Sequence, residues 1–125
     1  MSTKKVCTLL LMMAMLVACQ NDNLNLSEEV TQIEVYQWDS GELVSTIQDK
    51  EFIEKLVNQL DSARTGSTAD MDFAAPDYRL LFKHNEATLF QFGYFKETVR
   101  LNVKGRYWDS NASEMYEVDI KLAIE

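Results

Sequence analysis

Apolar and polar positions alternate along several short runs of this chain, and the first is Val30 to Trp38. Ile33 and Val35 fall on one side of an extended backbone, Tyr36 and Trp38 on the other, as a strand requires. Asp39-Ser40-Gly41 is turn chemistry, with Gly41 free to take a positive φ, and Glu42 to Ile47 reads as the return strand of a hairpin. The period then changes. Phe52, Ile53, Leu56, Val57 and Leu60 follow helical spacing, which predicts a helix over about Lys50 to Ala63. Asp49 is placed to cap its start and Gly66 to end it.

Thr65 to Pro76 shows neither period and reads as an irregular connection. Pro76 lacks an N–H, so a strand is expected only after it. Tyr78, Leu80 and Phe82 then share a face of a strand over Asp77 to His84. Asn85-Glu86 offers a turn, Ala87 to Phe95 a second strand, Lys96-Glu97 another turn, and Thr98 to Lys104 a third strand with Val99, Leu101 and Val103 inward. Gly105 to Glu114 reads as a loop, Met115 to Val118 as a last short strand, and Asp119 to Glu125 as a strand extension or helical turn. These elements predict an α+β domain: hairpin, helix, three-stranded meander and a short C-terminal element. The expected architecture is an antiparallel sheet of about five to six strands with one long amphipathic helix packed on one face.

The N-terminus follows different rules. After Lys4 and Lys5, Val6 to Ala18 is apolar except for Thr8, and the run closes on Leu16-Val17-Ala18-Cys19. A basic start, a short apolar segment, a small residue and a cysteine form the order of a bacterial lipoprotein signal. A permanent membrane helix needs about 20 apolar residues, more than this run supplies. An ordinary secretory signal or an uncleaved anchor are the competing readings. On the lipoprotein reading, residues 1–18 are removed and Cys19 takes a diacylglyceryl thioether. Residues 19–29, polar and rich in Asn, form a flexible tether, and residues 30–125 form a single globular domain. The expected location is the extracytoplasmic face of the cell membrane.

Charge and cysteine count then narrow the function. Loss of Lys4 and Lys5 leaves 10 basic residues against 20 acidic ones. So acidic a domain is not expected to bind nucleic acid or to lie flat on anionic lipid. With Cys7 in the signal and Cys19 lipidated, the mature chain holds no disulfide, no thiolate metal site and no cysteine nucleophile.

The lipobox at Cys19, the strand Ile33-Glu34-Val35, the helix Phe52–Leu60, the run Ala75-Pro76-Asp77-Tyr78 and Met115-Tyr116 together resemble the small YhfM-like lipoproteins of Bacillus-type bacteria. The resemblance spans roughly Val30 to Tyr116. The chain has Phe90 and Phe92 where a tryptophan is expected, and a shorter C-terminal element. What the resemblance implies is surface location and fold; it brings no catalytic residues.

Candidate chemistry is sparse. His84 is the only histidine and stands beside a turn with no partner at useful spacing. Asp70, Asp72 and Asp77 gather around Pro76, and Asp109-Ser110-Asn111 forms a second acidic loop; both fall short of a calcium-loop pattern. No G-x-S-x-G, phosphate loop, H-E-x-x-H or C-x-x-C occurs. No enzyme, metal or cofactor is therefore expected. Trp38, Tyr94, Phe95, Tyr107 and Trp108 fall near strand ends. Such rings either close the rim of a small core or anchor a partner. Trp38, Tyr107 and Trp108 are the candidate partner contact, expected close together on one exposed surface. The function expected is a lipid-anchored binding or protein-interaction module of the cell envelope, with a protein or envelope-polymer partner. The alternative is a small envelope hydrolase using a carboxylate pair.

Overall fold

A computed structural model describes residues 23–124; Cys19 and the segment before it lie outside them. The hairpin forms as the pattern predicts. β1 (Gln32–Gln37) and β2 (Leu43–Ile47) pair antiparallel, and Gly41 takes φ +74° in the connection. The helix α1 (Lys50–Ser62) follows, with the Asp49 carboxylate accepting from the backbone N–H groups of Glu51 and Phe52 at 3.1 and 3.5 Å. Its end is set by Ala63, which turns extended at φ −71° and ψ 151°. Gly66, expected as the stop, instead sits in a strand.

The architecture departs from expectation in size and proportion. After α1 come β3 (Thr65–Ser67), β4 (Tyr78–His84), β5 (Ala87–Leu101), β6 (Val103–Asp109) and β7 (Glu114–Tyr116). They join β1 and β2 in one seven-stranded antiparallel sheet of order β2-β1-β4-β5-β6-β7-β3. The α+β arrangement of five to six strands under one long helix is thereby overturned: among the described residues seven strands accompany a single short helix. At about 4.8 Å per strand such a sheet spans roughly 29 Å, whereas thirteen helical residues reach about 20 Å. The helix therefore covers only part of the sheet, burying Ile53, Leu56 and Leu60. Leu24, Leu26, Val118 and Leu122 cover more of that face.

Two local events produce the extra strands. Lys96-Glu97 is no turn. β5 runs through it with an irregularity between Tyr94 and Val99. The backbone there is supported from a distance: the Lys96 N–H donates to the Asp77 carboxylate at 2.8 Å, and the Arg106 guanidinium donates to the Lys96 carbonyl. The chain reverses instead at Asn102, φ 70°, where Leu101 and Val103 face each other. That moves Gly105 to Asp109 from loop to strand β6. The second event is β3, three residues of the supposed connection that pair with β7.

Each face of the sheet has its own apolar cluster. The larger joins Ile33, Val35, Leu80, Phe82, Phe92, Tyr94, Tyr107 and Tyr116 to the helix. The smaller consists of Phe95, Leu101, Val103 and Met115, with Phe73, Val99 and Trp108 against it. The C-terminal stretch after β7 is neither strand nor helical turn. Two tyrosines hold it: the Tyr107 hydroxyl donates to the Ile120 carbonyl at 2.7 Å, and the Tyr94 hydroxyl accepts from Leu122 N–H at 3.1 Å. At the far edge β2 leaves Leu43 and Val44 exposed, at 56 % and 42 %. No helix among the described residues is long and apolar enough to cross a membrane.

Candidate functional site: a two-tryptophan cleft

Strand register decides which aromatic rings meet. Tyr107 and Trp108 are neighbours in β6, so they project to opposite faces. Tyr107 stands opposite Tyr94 and Tyr116, toward the larger cluster. Trp108 stands opposite Gly93 and Met115, on the other face. The expectation of Trp38, Tyr107 and Trp108 on one exposed surface is thus corrected for Tyr107. It is fully buried, and burial pushes its phenol well above the ordinary tyrosine value of 10.0. Tyr116, on the same side, is pushed up to about 12, chiefly by burial. Tyr94 and Phe95 are buried as well, so Tyr94, Phe95 and Tyr107 are structural.

Trp38 and Trp108 do come together. Their ring centroids lie 6.3 Å apart, tilted by 45°, and both side chains are half-buried. Each is held by neighbours. Trp108 donates its indole N–H to the Thr68 hydroxyl at 3.0 Å and meets the Phe73 ring edge-on at 5.1 Å. Thr68 is buried and fixed in turn, its N–H bonded to the Ser113 carbonyl at 2.8 Å. Trp38 hangs from the end of β1, its N–H on the Asp77 carbonyl at 3.2 Å. The Arg79 guanidinium lies over its ring, 4.7 Å from the centroid, a cation–π geometry. Arg79 makes no ion pair among the described residues.

Gly93 lies beneath Pro76 and the Trp108 indole. A Cβ there would stand 2.6 Å from Pro76 Cγ and 3.3 Å from Trp108 Cε3. Only hydrogen lets the Pro76 loop and the indole close over β5. The result is a cleft of about 380 Å³ walled by Trp38, Trp108, Phe73 and the loop from Thr68 to Pro76. On the other side of Trp38 lies a smaller hollow of about 150 Å³, lined by Arg79, Gln91, Gly93 and Ser110. Phe73, Arg79, Thr68 and Gly93 did not stand out in sequence. The available signal was parity: Arg79 occupies an outward position between Tyr78 and Leu80.

The other candidates separate. Asp70 and Asp72 line the larger cleft. Asp77 accepts from Lys96 N–H, and Asp109 accepts from the N–H groups of Asn111 and Ala112 at 3.0 and 3.1 Å, each closing local backbone. No group of three or more metal-ligating side chains occurs among the described residues. His84 faces Glu29 O with Nδ1 at 2.8 Å and the Glu28 carboxylate with Nε2 at 3.1 Å, so it joins the sheet to the N-terminal segment.

No family model, no curated protein and no solved structure matches the chain.

Proposed function

We propose that this protein is a lipid-anchored binding module of a bacterial cell envelope, engaging a protein or envelope polymer through the Trp38–Trp108 cleft. The observation that carries the reading is the pair of half-buried indoles on the face opposite the larger core. Their neighbours fix them in place while leaving ring surface open to solvent. Large rigid aromatic surface beside a guanidinium recognises a partner at little entropic cost. The anchor half of the reading rests on Leu16-Val17-Ala18-Cys19 and on the resemblance to YhfM-like lipoproteins.

Both tryptophans of the chain line the cleft, so tryptophan emission, excited selectively over tyrosine, reports on that site. Titration with fractionated envelope polymers and envelope proteins should give a saturable change in emission. Trp38→Ala or Arg79→Gln should weaken it while thermal stability holds. A saturable interaction insensitive to both substitutions removes the cleft from the function. Membrane association should vanish in Cys19→Ala; an acyl-labelled, processed Cys19→Ala protein would remove the anchor.

A further inference from the structure

Residues expected to form a free tether are bound to the domain. Asn23 donates its side-chain amide to the carbonyls of Leu60 and Ala63 at 2.9 and 2.8 Å, at the end of α1. Its backbone N–H reaches the Asp61 carbonyl at 2.9 Å, and Leu24 N–H reaches the Asp61 carboxylate at 2.8 Å. Leu24 and Leu26 pack against the larger core. Glu28 and Glu29 then meet His84, and Thr31 N–H bonds the Lys83 carbonyl at 2.8 Å. The segment is a strap across the helix-bearing face, fastened at both ends.

We propose that this strap holds the helix-bearing side of the domain against the lipid headgroup layer and turns the Trp38–Trp108 cleft away from the bilayer. The inference rests on the reading of Cys19 as the lipidated residue. With Asn23 fastened, four residue steps separate Cys19 from the domain. Fully extended they reach about 14 Å, against roughly 40 Å if the chain were free to Val30. The headgroup layer alone is about 5–7 Å deep on each side. The C-terminal end of α1 therefore stays within about 10 Å of the headgroups. Ser62, Asn58, Arg64 and Glu117 are exposed there. Leu24 and Leu26 lie with the larger cluster and Trp108 with the smaller one, so the whole sheet stands between strap and cleft.

The test uses the full lipidated protein in phosphatidylcholine vesicles that carry a nitroxide on the lipid headgroup. A single new cysteine, at Ser62→Cys or Ser110→Cys, takes a fluorophore, because Cys19 is blocked by lipid. Asn58→Cys replaces the first if Ser62→Cys alters the fold. Quenching should be several-fold stronger at position 62 or 58 than at 110. A flexible Gly-Ser insert between Cys19 and Gln20 should abolish the difference. Equal quenching at the two positions, or stronger quenching at 110, in protein whose mass shows the lipid, overturns the inference alone. A mass without lipid on Cys19 overturns the anchor reading, and the inference with it.

Discussion

The two faces of the sheet are built from the same strands and by the same alternation, yet they have opposite fates. One carries Ile33, Val35, Leu80, Phe82, Tyr107 and Tyr116 and is sealed by helix, strap and C-terminal stretch. The other carries Tyr36, Arg79, Gly93 and Trp108, and its smaller apolar cluster is closed by a loop that leaves a cleft. On the sealed face a ring is worth its buried area. On the open face a ring keeps part of its surface in water, which costs stability and leaves that surface for a ligand. Adjacent residues Tyr107 and Trp108 show that a single step along the chain decides between the two roles.

Substitutions at matched positions sharpen the contrast. Phe82 is fully buried among Phe90 and Phe92, at ring separations of 4.4 and 5.8 Å. Phe82→Ala should lower stability by about 3–5 kcal/mol in chemical denaturation, with no help from a sheet that cannot collapse into the gap. A loss below that of a surface substitution would show that the sealed face is not the core.

Gly93→Ala comes next, because it forces a methyl group into the Pro76 ring. A loss of about 1–3 kcal/mol is expected, together with a shift in tryptophan emission as the Trp108 indole moves. Unchanged emission would mean that the packing of Pro76 on Gly93 is looser than the 2.6 Å approach implies.

Smaller again is the effect of alkali. Tyr107 and Tyr116 have raised values in the folded state, so folding favours their neutral forms. Their contribution is whole below the ordinary value of 10.0 and is lost as pH rises from there through about 12 for Tyr116, and beyond for Tyr107. Stability measured from pH 9 upward should fall, and Tyr107→Phe should flatten the fall while costing about 0.5–1.5 kcal/mol near neutrality through the lost bond to Ile120. An identical slope in that variant would assign the alkaline loss to other groups.

The smallest change in stability is expected from Trp38→Ala, about 0.5 kcal/mol or less, because the ring is partly in solvent and stands at a strand end. Thermal melting checks it. A loss as large as that of Phe82→Ala would move Trp38 to the sealed side and end the comparison.

The hairpin, the helix with its Asp49 cap, and the inward set of β4 were legible in sequence because each is written within a few residues. The rest depends on partners far along the chain. Lys96-Glu97 looks like a turn, since nothing local shows that Asp77 and Arg106 will bond the Lys96 backbone. With a turn at Lys96-Glu97, Tyr107 reads as loop, without the strand parity that buries it. Thr65 to Ser67 is too short to display a period, so β3 was invisible. The strap is hidden for a related reason: an Asn-rich stretch reads as solvated, while Asn23 finds its acceptors 37 and 40 positions away. Of the site, the two tryptophans were visible as residue types, but their meeting depended on strand order.

The outer edge of β2 has a colloidal consequence. Leu43-Val44-Ser45-Thr46-Ile47 offers a row of unpaired backbone groups with apolar side chains beside them, a template on which a second chain can pair. Neither Lys nor Pro guards the strand. Acidic gatekeepers flank it instead, Asp39 and Glu42 before it and Asp49 after. That guard works through repulsion between like-charged molecules, and salt shortens its reach to about 8 Å at physiological ionic strength. The protein should therefore stay dispersed in dilute buffer and salt out early, with β2 as the seam along which copies join.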